Sequence, residues 1–170
     1  GTDVDAGATL SYTIVAGNNG GHFAINPNTG AVIVAGAIDF EVTATYVLAV
    51  EVSDGDLNDQ ATLNIAVTDV NEAPDLANAQ ATVAENAANG TIVTTIAGTD
   101  VDAGATLSYA ITAGNAAGHF SINADTGAVT VAGPIDFETN DAYALTVQVS
   151  DGALNDQATL TIAVTDANEA

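Results

Sequence analysis

Not one lysine or arginine occurs in the 170 residues, against 22 Asp and Glu, and the formal charge is −22. An ordinary salt bridge is excluded unless His22 or His119 is protonated. Phosphate recognition draws on Lys and Arg, so nucleic acid is excluded as a partner. An anionic membrane surface is disfavoured on the same ground. Cysteine, methionine and tryptophan are missing as well. Their absence removes a disulfide framework, a thiolate metal site and a thiol nucleophile. Trypsin-like proteases find no cleavage site. No apolar run approaches the ~18 residues that mark a membrane span. No signal peptide is visible, and none is expected in an internal stretch of a longer chain. These absences together suit a durable secreted or cell-surface polymer.

What is present argues for a folded chain. The apolar fraction is 48%, enough to build cores despite the charge. Compaction at this charge brings strong self-repulsion unless cations gather on the surface. The acids fall in clusters, which points to bound divalent metal. An acidic surface adapted to salty water, with free counterions, is the plainer alternative.

The chain repeats itself. The run Gly1–Tyr12 returns unchanged at Gly98–Tyr109, and Gly1–Ala73 aligns with Gly98–Ala170 without a gap. Roughly three quarters of the aligned positions are identical. A duplicated unit of domain size predicts an array, in which function comes from length, spacing and stiffness. Substitutions such as Asn19/Ala116, Ile33/Thr130 and Val47/Ala144 are small or suited to a surface, while the acidic, Gly and aromatic positions hardly move.

Period-two alternation predicts strands near Ala81–Ala84, Thr91–Ala97, Leu107–Thr112, His119–Asn123, Ala128–Ala132, Tyr143–Ser150 and Ala158–Thr165. Turn signals at Ala88–Gly90, Ala124–Gly127 and Asp151–Gly152 separate them. Seven short strands without a helical pattern predict an all-β, immunoglobulin-like Greek-key sandwich. Ala73–Pro74 marks a short, extended boundary. Residues 74–170 then hold a complete repeat, and residues 1–73 hold one lacking counterparts of the first two strands. Such a unit has unpaired edges and a wet core. Two explanations stay open: the chain is a window of a longer array, or another chain donates the strands.

Five motifs, in order along the unit, resemble those of the cadherin repeat, in the version found in large bacterial surface and secreted proteins. Val83-Ala-Glu-Asn86 resembles its xEN motif and Thr99-Asp-Val-Asp102 its DxD motif. Ile135-Asp-Phe-Glu138 resembles LDRE, with Phe137 where Arg is usual, and Val149-Ser-Asp-Gly152 resembles xDxG. Asp69-Val-Asn-Glu-Ala-Pro74 resembles the DxNDNxP linker, with Glu72 for Asp and Ala73 for Asn. Each motif is short, but together they cover the repeat.

The resemblance implies Ca²⁺ at the connection between repeats. Copy one would offer Asp39 and Glu41. The linker would offer Asp69, Asn71, Glu72 and the carbonyls of Val70 and Ala73, and copy two Asp100, Asp102 and Asp151. Asp3, Asp5 and Asp54 would face a preceding repeat; Glu85, Asp136, Glu138, Asp166, Asn168 and Glu169 would face a following one. Copy one has no equivalent of Glu85, and Glu72 reaches further than Asp, so the ion count is expected to fall short of the family's three. Ca²⁺ takes six to eight oxygens, and this donor set is all oxygen. Zinc is disfavoured for want of His or Cys ligands, and Mg²⁺ because it prefers fewer carboxylates.

Asp54-Gly55 and Asp151-Gly152 also suit plain turns. Asp59 and Asp156, in Leu-Asn-Asp-Gln, read as loop residues; Asp56, Asp75, Asp125 and Asp141 read as solvated surface. His22 and His119 precede Phe23 and Phe120, so alternation turns them towards solvent. Tyr109, Phe120, Phe137 and Tyr143 read as core and corner residues. Paired carboxylates serve glycoside hydrolysis, but these are duplicated, lie at unit ends and come without other cleft residues, so an enzyme is not expected. The sequence therefore reads as a calcium-rigidified structural repeat of a bacterial-type surface adhesin or extracellular filament, a spacer in a biofilm or matrix. Its partners would be neighbouring repeats and, by self-association, further copies. The alternative is a cadherin-like module that binds carbohydrate or protein.

Overall fold

Strands form where apolar and polar residues alternate, and Asp, Asn and Gly break the chain between them. The computed structural model describes residues 9–168, which hold twelve strands and no helix. No helix among them is long and apolar enough to cross a membrane. Two compact units divide the chain, Gly1–Val70 and Asn71–Ala170.

The second unit is a two-layer sandwich. Its strands are β6 (Ala79–Ala84), β7 (Ile92–Thr95), β8 (Ser108–Ala113), β9 (Phe120–Ile122), β10 (Ala128–Val131), β11 (Ala142–Ser150) and β12 (Asn155–Thr165). One sheet runs β6-β12-β11-β8 and the other β7-β10-β9. β6 lies parallel to β12 from Ala79↔Leu160 to Ala84↔Thr165, whereas β11 and β12 form a long antiparallel pair from Ala142↔Ala163 to Ser150↔Asn155. Alternation delivers Leu145, Val147 and Val149 from β11 and Leu160, Ile162 and Val164 from β12 to the interior, facing Val129 and Val131 of the other sheet. The aromatic residues behave as their spacing suggested. Phe120 is buried and Tyr143 meets it edge-on at 5.1 Å, while the Tyr109 hydroxyl accepts the Gly98 amide at 3.1 Å.

The first unit holds β1 (Ser11–Ala16), β2 (Phe23–Ile25), β3 (Val32–Val34), β4 (Thr45–Ser53) and β5 (Asn58–Ala66). The sheets are β1-β4-β5 and the hairpin β2-β3. Its strand sequences nearly match those of unit two, yet only Phe23 and Leu48 are buried apolar residues among those described. Val34 is 56% exposed, and its counterpart Val131 1%. Leu63 is 36% exposed, and its counterpart Leu160 1%. In unit two β6 pairs with β12 and β7 with β10; unit one has no strand beside β5 or β3 in those places among the described residues.

Two sequence expectations need correction. Asp59 and Asp156 are no loop residues: β5 starts at Asn58 and β12 at Asn155, and Asp156 sits in the inward phase of its alternation. Asn and Asp are poor strand formers, which hid the first turns of the ladder. His22 and His119 are half-buried rather than turned freely to solvent. Each leans on a tyrosine, His22 on Tyr46 at 5.3 Å and His119 on Tyr143 at 5.2 Å.

Candidate metal centre

At the end of unit two that follows the linker, the backbone is tied down before the carboxylates are placed. Asp75 and Thr99 exchange amide-to-carbonyl hydrogen bonds of 2.8 and 3.0 Å. That bridge puts Asp100 directly beyond a fixed point of the backbone. Asp102 then donates its amide to Asp100 Oδ1 at 2.9 Å, a side-chain-closed turn. The Glu72 amide donates to Asp102 Oδ2 at 3.1 Å. The Asn71 side-chain amide donates to Asp151 Oδ2 at 2.7 Å. Linker and Asp-x-Asp loop are thereby held together within the same unit, and Glu72 and Asp102 bring carboxylate oxygens within 4.8 Å of each other.

One oxygen on each aspartate remains. Asp100 Oδ2 and Asp102 Oδ1 are shut off from solvent and have no hydrogen-bond partner. Burying an acceptor without a partner costs about 1–3 kcal/mol, more when it is charged. The sequence has no Lys or Arg to offset it, whereas a hard cation takes such oxygens as ligands. Asp151 is better satisfied. Its Oδ1 takes the amides of Ala153 and Leu154, both at 2.6 Å. The Leu154 amide, then the Asn71 side chain and the Ala153 amide, hold its carboxyl below the usual carboxylate range. Asp151 thus closes its turn and also holds the Asn71 side chain.

The opposite end of unit two gathers Glu85, Glu138 and Asp166, whose carboxylate oxygens lie within 4.8 Å of one another. Asn86 adopts a left-handed backbone, φ 58°, which Asn tolerates better than most residues. It turns the chain out of β6 while its amide bonds to the Ile135 carbonyl at 3.0 Å. Glu85 is 3% exposed, and it accepts the amides of Phe137 at 3.0 Å and of Ala167. The Ala167 and Phe137 amides, in that order, hold its carboxyl below the ordinary value. Asp136 lies outside that trio: the Thr139 hydroxyl and amide bond to it and lower its pKa. Asn168 is exposed beyond β12.

In unit one Glu41 and Asp69 approach within 4.8 Å. The Glu41 pKa is raised. A hydrogen bond from its own amide pulls it down, but burial and the charges of Asp69 and Asp39 outweigh that bond. Asp39 accepts the Val42 amide at 3.0 Å, and Asp54 closes the β4–β5 turn by accepting the amides of Asp56 and Leu57 at 2.9 and 2.7 Å. Val70 and Ala73 are exposed. Asp3, Asp5 and Glu169 lie outside the described residues.

Sequence reasoning missed how the motifs are held. Asn86 acts through its backbone conformation, and Asn78 donates nothing to the acidic motifs but accepts the Thr159 amide at 2.8 Å. No spacing rule in a single strand signals such cross-strand bonds.

Comparison with known proteins agrees with this architecture. Residues 2–68 and 79–165 each match the cadherin domain. Similar proteins include the protocadherin-like wing polarity protein stan of Drosophila melanogaster, 37% identical over 184 residues that take in 99% of this chain and 5% of that protein. Human protocadherin Fat 1 is 34% identical over 178 residues, 98% of this chain and 4% of that protein. The chain therefore spans only a small part of these relatives' length. Among solved structures, human protocadherin-24 EC1-2 superposes with a TM-score of 0.76 at 25% identity, covering 95% of this chain and 84% of that one. Mouse cadherin-23 EC22-24 gives 0.75 at 25% identity, covering 98% and 58%. Cadherin domains are tandem adhesion modules of cell-surface proteins and not enzymes. Both repeats of this chain match the sequence of that module, and the chain belongs to the cadherin domain family.

Proposed function

We propose that this chain is a calcium-rigidified structural segment of a long extracellular adhesin or filament of bacterial type, serving cell adhesion or a biofilm matrix. One observation carries the calcium reading: Asp100 and Asp102 each hold a solvent-excluded carboxylate oxygen without a partner, in a chain with no Lys or Arg. The proposed donors are Asp39, Glu41, Asp69 and the Val70 carbonyl in unit one, and Asn71, Glu72, the Ala73 carbonyl, Asp100, Asp102 and Asp151 in unit two. Asp3, Asp5 and Asp54 are the proposed donors towards a preceding repeat. Glu85, Asp136, Glu138, Asp166, Asn168 and Glu169 serve a following one. Six to eight oxygens suit Ca²⁺.

The function that follows is mechanical. Without cations, the carboxylates flanking each connection repel, and the connection is a hinge. Calcium neutralises them and stiffens the array into a spacer, whose partners are neighbouring repeats and further copies of the same filament. The extracellular setting supplies millimolar calcium of the kind weak modules require. The close similarity of the two copies and charge of one sign support a repetitive, outward-facing polymer.

Melting and small-angle scattering of the chain in calcium and in chelator test the reading. Binding to the folded state alone adds about 2.7 kcal/mol at a hundredfold excess over Kd, so calcium should raise Tm and lengthen the maximum dimension. Equal Tm and equal dimension in both buffers would overturn it.

A further inference from the structure

Asp156 is a charged residue in an inward position of β12, in phase with Ala158, Leu160 and Ile162. A carboxylate there needs a partner. It has one far away in sequence: Asp156 Oδ2 accepts the amide of buried Leu76 at 2.9 Å. Two residues on, Asn78 Oδ1 accepts the Thr159 amide at 2.8 Å. Backbone pairing of β6 with β12 starts only at Ala79↔Leu160. The two side chains thus extend that ladder towards the linker, where a strand alone would have stopped.

The bond has a clear onward path. Leu76 adjoins Asp75, which is bridged in both directions to Thr99. Thr99 adjoins Asp100, whose Oδ1 holds the Asp102 amide. On the other side of buried Pro74, the Glu72 amide returns to Asp102 Oδ2 at 3.1 Å. The loop of chain from Glu72 to Asp102 is therefore closed at one side by Asp102 and anchored at the other by Asp156.

We infer that Asp156 is a positioning residue for calcium: its carboxylate fixes the Leu76 backbone and, through the Asp75–Thr99 bridge, sets the placement of Glu72, Asp100 and Asp102. It touches no ion itself. The inference rests on the calcium reading given above. Outer partners that orient ligands act this way in metal sites generally, and their loss costs about 10–100-fold in affinity.

Calcium titration of the ¹⁵N-labelled full chain separates the possibilities, because unit two carries reporters at both ends. The amides of Glu72 and Asp102 report the linker end; those of Phe137 and Ala167, both bound to Glu85, report the other. Asp156→Ala should weaken the linker-end response by about tenfold or more and leave the Phe137 and Ala167 response unchanged. Asp156→Asn keeps an oxygen acceptor and should restore the linker-end affinity. In chelator, amide exchange at Leu76 and Thr99 should quicken in Asp156→Ala but not in Asp156→Asn. Unchanged linker-end affinity in the Ala variant overturns the inference. So does an equal loss at both ends, which marks general destabilisation, and so does an Asn variant as weak as Ala. An unmodified chain that gives no calcium shifts at either end overturns the calcium reading and the ion role of Asp156 with it. The exchange arm then shows separately whether Asp156 holds Leu76.

Discussion

The carboxylate of Glu85 accepts the amide of Phe137 at 3.0 Å, joining the end of β6 to a turn 52 residues further on. Phe137 stands where the family's motif usually has Arg; the bond uses its backbone alone, while its side chain packs against the core of unit two.

That relationship predicts a pH dependence. Hydrogen bonds from Ala167 and Phe137 lower the Glu85 pKa from its ordinary 4.5. A depressed carboxylate stabilises the fold above the ordinary value and loses that contribution as pH falls through the folded-state value. In chelator, Glu85→Ala should therefore lower Tm near neutral pH, and the gap to the unmodified chain should narrow below about pH 4.5. Calorimetric scans across that range check the sign; a gap that widens on acidification would contradict it.

Asp102 bears both a Glu72 amide and an unpartnered oxygen. Asp102→Ala should reduce calcium affinity at the linker end by at least about tenfold, since even outer-shell losses reach that size. The core of unit two should survive, because Asp102 is not part of it. Calorimetric titration measures the first effect and amide dispersion the second.

Gly127 closes the Asp-Thr-Gly turn with φ +68°, and a Cβ there would lie 2.1 Å from the Ile96 carbonyl oxygen. Gly127→Ala should destabilise unit two by more than about 1 kcal/mol, combining left-handed strain with a backbone clash. Gly20→Ala makes the contrast: the atoms nearest its Cβ would be those of the His22 side chain, and Ala117 occupies the matching place in copy two. Denaturant melts of both variants should show a large shift for Gly127 and little for Gly20.

Residues 1–73 expressed alone should not fold. Val34 and Leu63 are exposed where Val131 and Leu160 are covered, and burying each large apolar side chain is worth about 1.5–3 kcal/mol against a total stability of about 5–15. A segment like Pro74–Ala97, fused or added in trans, should restore dispersed amide signals, and calcium alone should not. A well-dispersed spectrum from the isolated fragment would contradict this.

Alternation by itself determined the strands of the sandwich, because a half-buried strand must place every second residue inside. Val147, Val149, Leu160 and Ile162 were legible as core for that reason. Motif order likewise marked Glu85, Asp100 and Asp102 as special before their surroundings were known. Tertiary structure alone decided which oxygen of each aspartate is left without a partner, that Asn86 turns left-handed, and that Asp156 belongs to a strand. It also decided that nearly the same strand sequence is buried in one unit and exposed in the other. Burial and hydrogen bonding are properties of pairs, and here the partners lie 30 to 80 residues apart, a distance at which local sequence carries no record of who will meet whom.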